Sequence, residues 1–78
     1  MNGLTFIING LSWMVRIVPP THPILLMNYD YFTLGCCDNP TRTIYIADGL
    51  NEDKFYKVLG HEVTHAAMFS YEVILTED

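Results

Sequence analysis

An amphipathic run late in this chain of 78 residues constrains its fold more than any other stretch. The run extends from about residue 51 to about residue 70. Asn51 fits the N-cap position, and the acidic residues Glu52 and Asp53 suit the positive end of a helix dipole. At about 100° per residue, the apolar side chains gather in one stripe. They are Phe55, Val58, Leu59, Ala66 and Phe69. The sequence therefore predicts one long amphipathic helix.

Glu62 interrupts this apolar stripe near its middle. A lone carboxylate on a buried face is costly unless it is paired or used, and amphipathicity alone would have placed an apolar residue there. His61 and His65 lie at the border between the apolar and polar sides of the predicted helix. A cleft beside a metal ion is one setting that explains the glutamate and both histidines.

The segment His61-Glu62-Val63-Thr64-His65 is an HExxH motif. Two histidines four residues apart on a helix lie about 6 Å from each other on one face, so both imidazoles can reach one Zn²⁺ ion. Glu62 points about 100° round the helix, where it can take a proton from a metal-bound water. The motif predicts peptide-bond hydrolysis with His61 and His65 as zinc ligands and Glu62 as general base. Alternatively, the histidines are ordinary surface or half-buried residues, and Glu62 pairs with a nearby hydroxyl or amide.

A third zinc ligand is harder to assign, although a catalytic zinc normally has three. Met68 and Tyr71 stand where the metzincin pattern needs Gly and His, so that class is excluded. Glu72 lies about 10 Å beyond His65 along a straight helix and cannot close the same site. The remaining candidates are spread along the chain: His22, Cys36, Cys37, Glu77 and Asp78.

Three or four strands are expected before the helix. Asn9-Gly10 accepts positive φ at both turn positions, so it predicts a hairpin between residues 4–8 and 11–18. A second hairpin is predicted from residues 29–37 and 42–46, with Gly35 as a bulge or a point of close approach. After the helix, the β-branched and apolar residues 71–75 are expected to leave the helical conformation.

Composition and charge restrict the classes of partner and the cellular compartment that we expect for this chain. The formal net charge is −5 with four Lys and Arg residues, so no basic patch is expected to bind nucleic acid. The apolar runs are far shorter than a membrane span, and the N-terminus lacks the basic region of a signal peptide. Adjacent Cys36 and Cys37 suggest free thiols in a reducing compartment. We therefore expect a soluble, cytoplasmic, single small domain that contacts neither nucleic acid nor membrane.

The order of these segments resembles a known family. A hairpin, the Gly35-Cys36-Cys37-Asp38 segment, the strand 42–46 and the block 58–66 together look like the small HExxH metallopeptidase-like proteins of bacteria and their phages. These are related to the ImmA/IrrE group of gluzincin-type zincins. The resemblance implies an α+β fold: a small twisted antiparallel sheet of three to four strands packed on the HExxH helix, with an edge strand lining the cleft.

The resemblance also implies the roles of the site residues. His61 and His65 carry over as ligands of one Zn²⁺ and Glu62 as general base, acting on a peptide or protein substrate. Family members have a later helix with an acidic third ligand, and this chain ends where that helix should start. Residues 1–78 are therefore expected to form a single, C-terminally incomplete zincin-like domain.

Three functions are compatible with these observations. The first is a zinc-dependent peptidase, or the metal-binding half of one. The second is a catalytically inactive zincin-fold module that binds a protein or self-associates through the surface that the later helix would cover. The third is a regulatory protein of a phage or mobile element in which zinc is structural.

Overall fold

The computed structural model describes residues 3–26 and 33–75, with side chains through residue 71. The described residues form an α+β arrangement of one four-stranded sheet and one long helix. The elements in chain order are β1 (Leu4–Ile8), β2 (Leu11–Val18), a 3-10 helix (Pro23–Leu25), β3 (Gly35–Asp38), β4 (Thr43–Ala47) and α1 (Glu52–Leu75). Within this described part, no helix combines the length and the apolarity that crossing a bilayer requires.

The first hairpin forms as predicted. Asn9 and Gly10 have φ values of 51° and 80°, the left-handed values that a two-residue type I′ turn needs. Strands β1 and β2 pair antiparallel, with Ile8 opposite Leu11 next to the turn. Because this turn fixes the register, the side chains of Trp13 and its alternate neighbours on β2 face the same side of the sheet.

The prediction of an antiparallel sheet is wrong, because two neighbouring strands run parallel. The strand order is β1-β2-β4-β3, and β2 pairs with β4 in parallel, from Met14 opposite Thr43 to Val18 opposite Ala47. The sheet is therefore mixed, with antiparallel pairs at its two sides. Alternating hydrophobicity identifies a strand without giving the direction of its neighbour, since both kinds of pairing bury one face in the same way.

The second predicted hairpin is also present, with a shorter described first strand. Strand β3 begins at Gly35, and residues 29–32 of the predicted strand lie outside the described residues. Strand β4 is the interior partner, and four of its five residues are buried. It is covered on one side by α1 and on the other by the 3-10 helix. Strand β3 forms the edge of the sheet beside it.

Helix α1 begins as predicted and ends later than predicted. The Asn51 side chain accepts a hydrogen bond from the Lys54 backbone N–H at 2.8 Å, which confirms Asn51 as the N-cap. The helix continues to Leu75, so the residues after Ser70 remain helical, contrary to the prediction. Residues 71–75 contain neither glycine nor proline, and the low helix propensity of β-branched residues is too weak alone to end a helix.

The main core lies between α1 and the sheet. Trp13, Val15, Ile44 and Ile46 from the two central strands pack with Ala66 of the helix. The rest of the predicted helix stripe packs against this cluster, including Phe55, Val58, Leu59 and Phe69. Full burial of a large apolar side chain stabilises the fold by roughly 1.5–3 kcal/mol, so this cluster holds α1 to the sheet.

Hydrogen bonds fix the position of the helix along the sheet. The Trp13 indole Nε1–H donates to the Ser70 hydroxyl at 2.8 Å, and both side chains are at most 1% exposed. The Asn9 side-chain amide also donates to the Ser70 carbonyl oxygen at 3.1 Å. The far half of α1 is thereby attached to the β1–β2 hairpin. This attachment sets which helix residues face β3.

Candidate metal centre

The two predicted zinc ligands converge. The Nε2 atoms of His61 and His65 lie 3.1 Å apart, and the ring planes make an angle of 79°. Two imidazole nitrogens bound to one tetrahedral zinc at ~2.0–2.1 Å lie roughly 3.3 Å apart, so the observed spacing is close to that of a chelating pair. The same spacing also fits an N–H···N hydrogen bond between the rings when one donates to the other.

Glu62 is buried on the sheet-facing side of the same helical turn. Its side chain is 7% exposed, whereas His61 is exposed and His65 half-buried. Burial raises the pKa of the Glu62 carboxyl above its ordinary value, and the neighbouring His61 and His65 oppose this rise. A carboxyl with a raised pKa holds a proton more readily near neutral pH, which suits a group that must accept a proton and give it back.

Gly35 explains how Glu62 reaches its position. A Cβ atom at Gly35 would lie 2.6 Å from Val58 Cγ1 and 3.1 Å from Glu62 Oε2. Strand β3 therefore approaches α1 more closely than any residue with a side chain would allow. Of the two roles predicted for Gly35, the structure shows the close approach. It brings the backbone of an edge strand beside the Glu62 carboxylate.

Two adjoining clefts follow the line between β3 and α1, and we call them together the β3–α1 groove. Their volumes are about 400 Å³ and 340 Å³. Both are lined by Thr33, Gly35, His61 and Glu62, so His61 and Glu62 lie where the clefts meet. One cleft extends toward the helix N-terminus and is lined by Leu34, Lys54, Lys57 and Val58. The other extends toward His65, Phe69 and the two cysteines.

The groove also borders the outer edge of β3. The Ala47 N–H donates to the Leu34 carbonyl at 2.9 Å, which makes this pair a hydrogen-bonded pair of the β3–β4 ladder. In an antiparallel ladder such pairs alternate with residues whose N–H and C=O point to the other side. The backbone groups of Gly35 and Cys37 therefore face away from β4, toward the outer edge of the sheet.

No third metal ligand joins the histidines in the part of the chain that the structure describes. Among the side chains of residues 3–26 and 33–71, no three of His, Cys, Asp or Glu lie close enough together to hold a metal ion. His22 stacks on Tyr45 at a ring separation of 5.9 Å, on the sheet face opposite α1. The predicted candidates Glu77 and Asp78 lie outside the described residues.

The two cysteines face opposite sides of the sheet. Cys36 packs in the cluster under the 3-10 helix, whereas Cys37 packs against the core on the α1 side. Burial, reinforced by the charge of Glu62, raises the pKa of the Cys37 thiol from 9.0 to about 12. Burial and Glu62 also raise the pKa of the Cys36 thiol. Both thiols are thus held in the protonated form at neutral pH.

The sequence prediction missed the residues that shape the groove. Lys54 and Lys57 fall on the polar side of the predicted helix, where a solvated role is the default. Thr33 belongs to the predicted strand 29–37 and carries no motif. The sequence shows the spacing of Lys54 and Lys57 from His61 along the helix. Only the position of β3 shows that they border the same groove.

Comparisons with protein-family models, with curated proteins and with solved structures found no match for this chain.

Proposed function

We propose that this chain is a zinc-dependent metallopeptidase, or the metal-binding part of one, with a zincin-like arrangement of sheet and helix. The observation that supports this most strongly is the 3.1 Å approach of the His61 and His65 Nε2 atoms beside the buried Glu62 carboxylate. In an HExxH segment that arose by chance, the glutamate could point in any direction. In this chain it faces a cleft bordered by an edge strand. The donor set, two imidazoles with a neighbouring carboxylate, suits zinc.

Each residue of the motif has a separate task in this proposal. His61 and His65 would hold the metal through their Nε2 atoms. A zinc ion held there would lower the pKa of a water molecule toward ~7 and would polarise the substrate carbonyl. Glu62 accepts a proton from the attacking water and delivers it to the leaving amine.

The proposed substrate is an extended peptide segment. The outward N–H and C=O groups of Gly35 and Cys37 can pair with a peptide backbone that lies along the β3 edge. Such pairing would add a strand to the sheet and hold the peptide in the β3–α1 groove, where His61 and Glu62 face it. Since backbone pairing is independent of side chains, side-chain preferences must come from the ends of the groove.

A second candidate is a non-catalytic zincin-fold module that binds a protein partner or another copy of itself. Two observations favour it: the described residues gather two ligands instead of three, and the outer face of α1 is partly apolar. Tyr56, Met68 and Tyr71 on that face are each more than half exposed. A regulatory protein of a phage or mobile element, with a structural zinc, belongs to the same non-catalytic class.

The test combines zinc content with peptide hydrolysis. The purified chain is loaded with zinc, dialysed, and assayed for bound metal and for cleavage of a mixture of unstructured peptides. Glu62→Gln should retain one zinc per chain and lose cleavage, whereas His61→Ala and His65→Ala should lose the zinc. His22→Ala is the matched control, because this histidine lies on the opposite face of the sheet and its loss should change neither readout.

The outcomes separate the two candidates. One zinc per chain with cleavage that depends on Glu62 supports the peptidase. One zinc per chain without cleavage supports the non-catalytic module. Failure of the wild-type chain to retain zinc, at a metal excess that saturates other zinc peptidases, contradicts the proposed metal site.

A further inference from the structure

The distribution of positive charge on this chain is uneven. The chain has four Lys and Arg residues against nine Asp and Glu. Both lysines, Lys54 and Lys57, line the same end of the β3–α1 groove. The two arginines lie elsewhere: Arg16 stacks over Tyr45 on the opposite face, and Arg42 donates to the Ser12 carbonyl oxygen in the β2 region. An acidic chain thus brings half of its cationic side chains to one end of one groove.

The positions of the lysines relative to the motif follow from helix geometry. Lys57 and Lys54 precede His61 by four and seven residues, so they lie about 6 Å and 10 Å from it along the axis. An extended peptide advances about 3.3 Å per residue. A peptide whose reacting bond lies at His61 would therefore reach the lysines two to three residues from that bond. There it lies beyond the stretch that can pair with Gly35 and Cys37, because the Thr33 N–H already donates to the Leu25 carbonyl oxygen at 3.0 Å.

The direction of the peptide follows from the direction of β3. Gly35 lies beside Val58 and Glu62, whereas Cys37 lies at the end of the groove that contains Phe69. Strand β3 therefore runs in the same direction as α1. A peptide that pairs antiparallel with β3, the more stable mode, runs toward the helix N-terminus. The lysine end then receives residues on the C-terminal side of the cleaved bond.

We propose that Lys54 and Lys57 form a subsite for a carboxylate of the substrate, two to three residues after the bond that is cleaved. This inference rests on the proposed peptidase function and names its substrate class: peptides that are acidic on that side. The carboxylate comes from an Asp or Glu side chain or from the C-terminus of a short peptide, and the chemistry of recognition is the same. The groove walls Leu34 and Val58 are apolar, which strengthens the attraction relative to an open surface.

Neighbouring charges and solvent exposure limit how strongly the two lysines can favour a peptide that carries a carboxylate. Asp53 stands one turn before Lys57 and competes for its ammonium group, but both residues are exposed, so their pairing is weak. Each lysine is itself exposed, and an exposed ion pair changes an equilibrium by about one- to fivefold. Together the two lysines should give a preference of about three- to tenfold at low salt.

The first arm of the test measures kcat/KM with matched peptides. One series carries Glu, Gln or Lys at the third residue after the cleaved bond, and a second carries a free or amidated C-terminus there. The wild-type chain should prefer Glu over Gln by about three- to tenfold, with Lys poorest. The double variant Lys54→Gln/Lys57→Gln should reduce this preference to below about twofold, through a lower kcat/KM for the Glu peptide. Arg16→Gln is the charge-matched control and should keep the preference.

The second arm measures binding without turnover. The zinc-loaded Glu62→Gln chain is titrated into fluorescently labelled versions of the same peptides, and anisotropy gives the dissociation constants. The Glu peptide should bind about three- to tenfold more tightly than the Gln peptide, and the difference should shrink at about 0.5 M salt because exposed charges are screened.

The two arms distinguish failure of the subsite from failure of the proposed function. Absence of cleavage by the wild-type chain overturns the peptidase, while the binding arm still decides whether the lysines select a carboxylate. Equal dissociation constants for the Glu, Gln and Lys peptides contradict the proposed subsite, whether or not the chain cleaves these peptides. A preference for Glu that survives in the double variant overturns it as well.

Discussion

Gly35 offers the sharpest test of the packing that positions the candidate site. In Gly35→Ala the new methyl group would meet Val58 Cγ1 at 2.6 Å and Glu62 Oε2 at 3.1 Å. The first distance is far below an ordinary carbon contact, and the β-branched valine has one strongly preferred rotamer in a helix, so it cannot easily turn aside. Strand β3 and helix α1 must therefore move apart.

The cost of this movement can be compared with a matched substitution. Overpacking by one methyl group in a tight contact destabilises a fold by about 1–3 kcal/mol. Gly60 lies in the same helix, is exposed, and has no atom within 4 Å of an added Cβ. Gly60→Ala should therefore stabilise the chain by about 0.5–1 kcal/mol, because alanine is the better helix former. Gly35→Ala should lower the free energy of unfolding and Gly60→Ala should raise it. The two variants should therefore differ from each other by about 1.5–4 kcal/mol.

Urea unfolding followed by tryptophan fluorescence measures both variants. The chain has a single tryptophan, Trp13, which is 1% exposed in the core and reports directly on the sheet–helix interface. The measurement is made with chelator present, since a bound metal would add its own stabilisation. A free energy of unfolding for Gly35→Ala within about 0.5 kcal/mol of the wild type would refute the close approach of β3 to α1.

Three further predictions follow from single interactions. Ser70→Ala removes the acceptor of the buried Trp13 Nε1–H and should lower the free energy of unfolding by about 1–3 kcal/mol, measured in the same urea assay; no loss would contradict that hydrogen bond. Asn51→Ala removes the N-cap of α1 and should cost about 1 kcal/mol, with a parallel loss of helical circular dichroism on heating. Cys37 should react with iodoacetamide at pH 8 about a thousandfold more slowly in the native chain than in urea, because its pKa rises from 9.0 to about 12 and the thiolate fraction falls accordingly; equal rates would show that this thiol is not buried.

Local chemistry was sufficient to predict several elements. Asn9-Gly10 requires a two-residue hairpin turn whatever the rest of the chain does, and Asn51 caps the helix through its own side chain. The interior face of α1 also followed from the sequence, because its apolar residues recur with the helical period and pack together on the sheet. These features depend on residues that are close in sequence.

Features that depend on distant residues were not predictable in the same way. The parallel pairing of β2 with β4 depends on how the chain returns from Val18 to the second hairpin, and alternating apolar residues carry no information about that path. Local propensity alone places the end of α1 too early, because it carries no information about the hydrogen bonds that attach Ser70 to the first hairpin.

The features of the candidate site also divide into those that depend on residues close in sequence and those that depend on distant residues. Helical spacing was enough to predict that the rings of His61 and His65 meet, and the interrupted stripe was enough to predict a buried Glu62. The groove requires β3 to lie against α1, so the contribution of Lys54 and Lys57 appears only in three dimensions. The third ligand stays a prediction, since Glu77 and Asp78 lie outside the described residues.

X-ray absorption spectroscopy at the zinc edge tests the central claim most directly, because it observes the ligands of the metal themselves. For the zinc-loaded wild-type chain we predict scattering from two imidazole rings at ~2.0–2.1 Å, together with oxygen ligands. His65→Ala should lose the zinc, and with it the imidazole scattering at the zinc edge. A wild-type spectrum without imidazole scattering, or one that is unchanged in His65→Ala, would contradict the assignment of His61 and His65 as the zinc ligands.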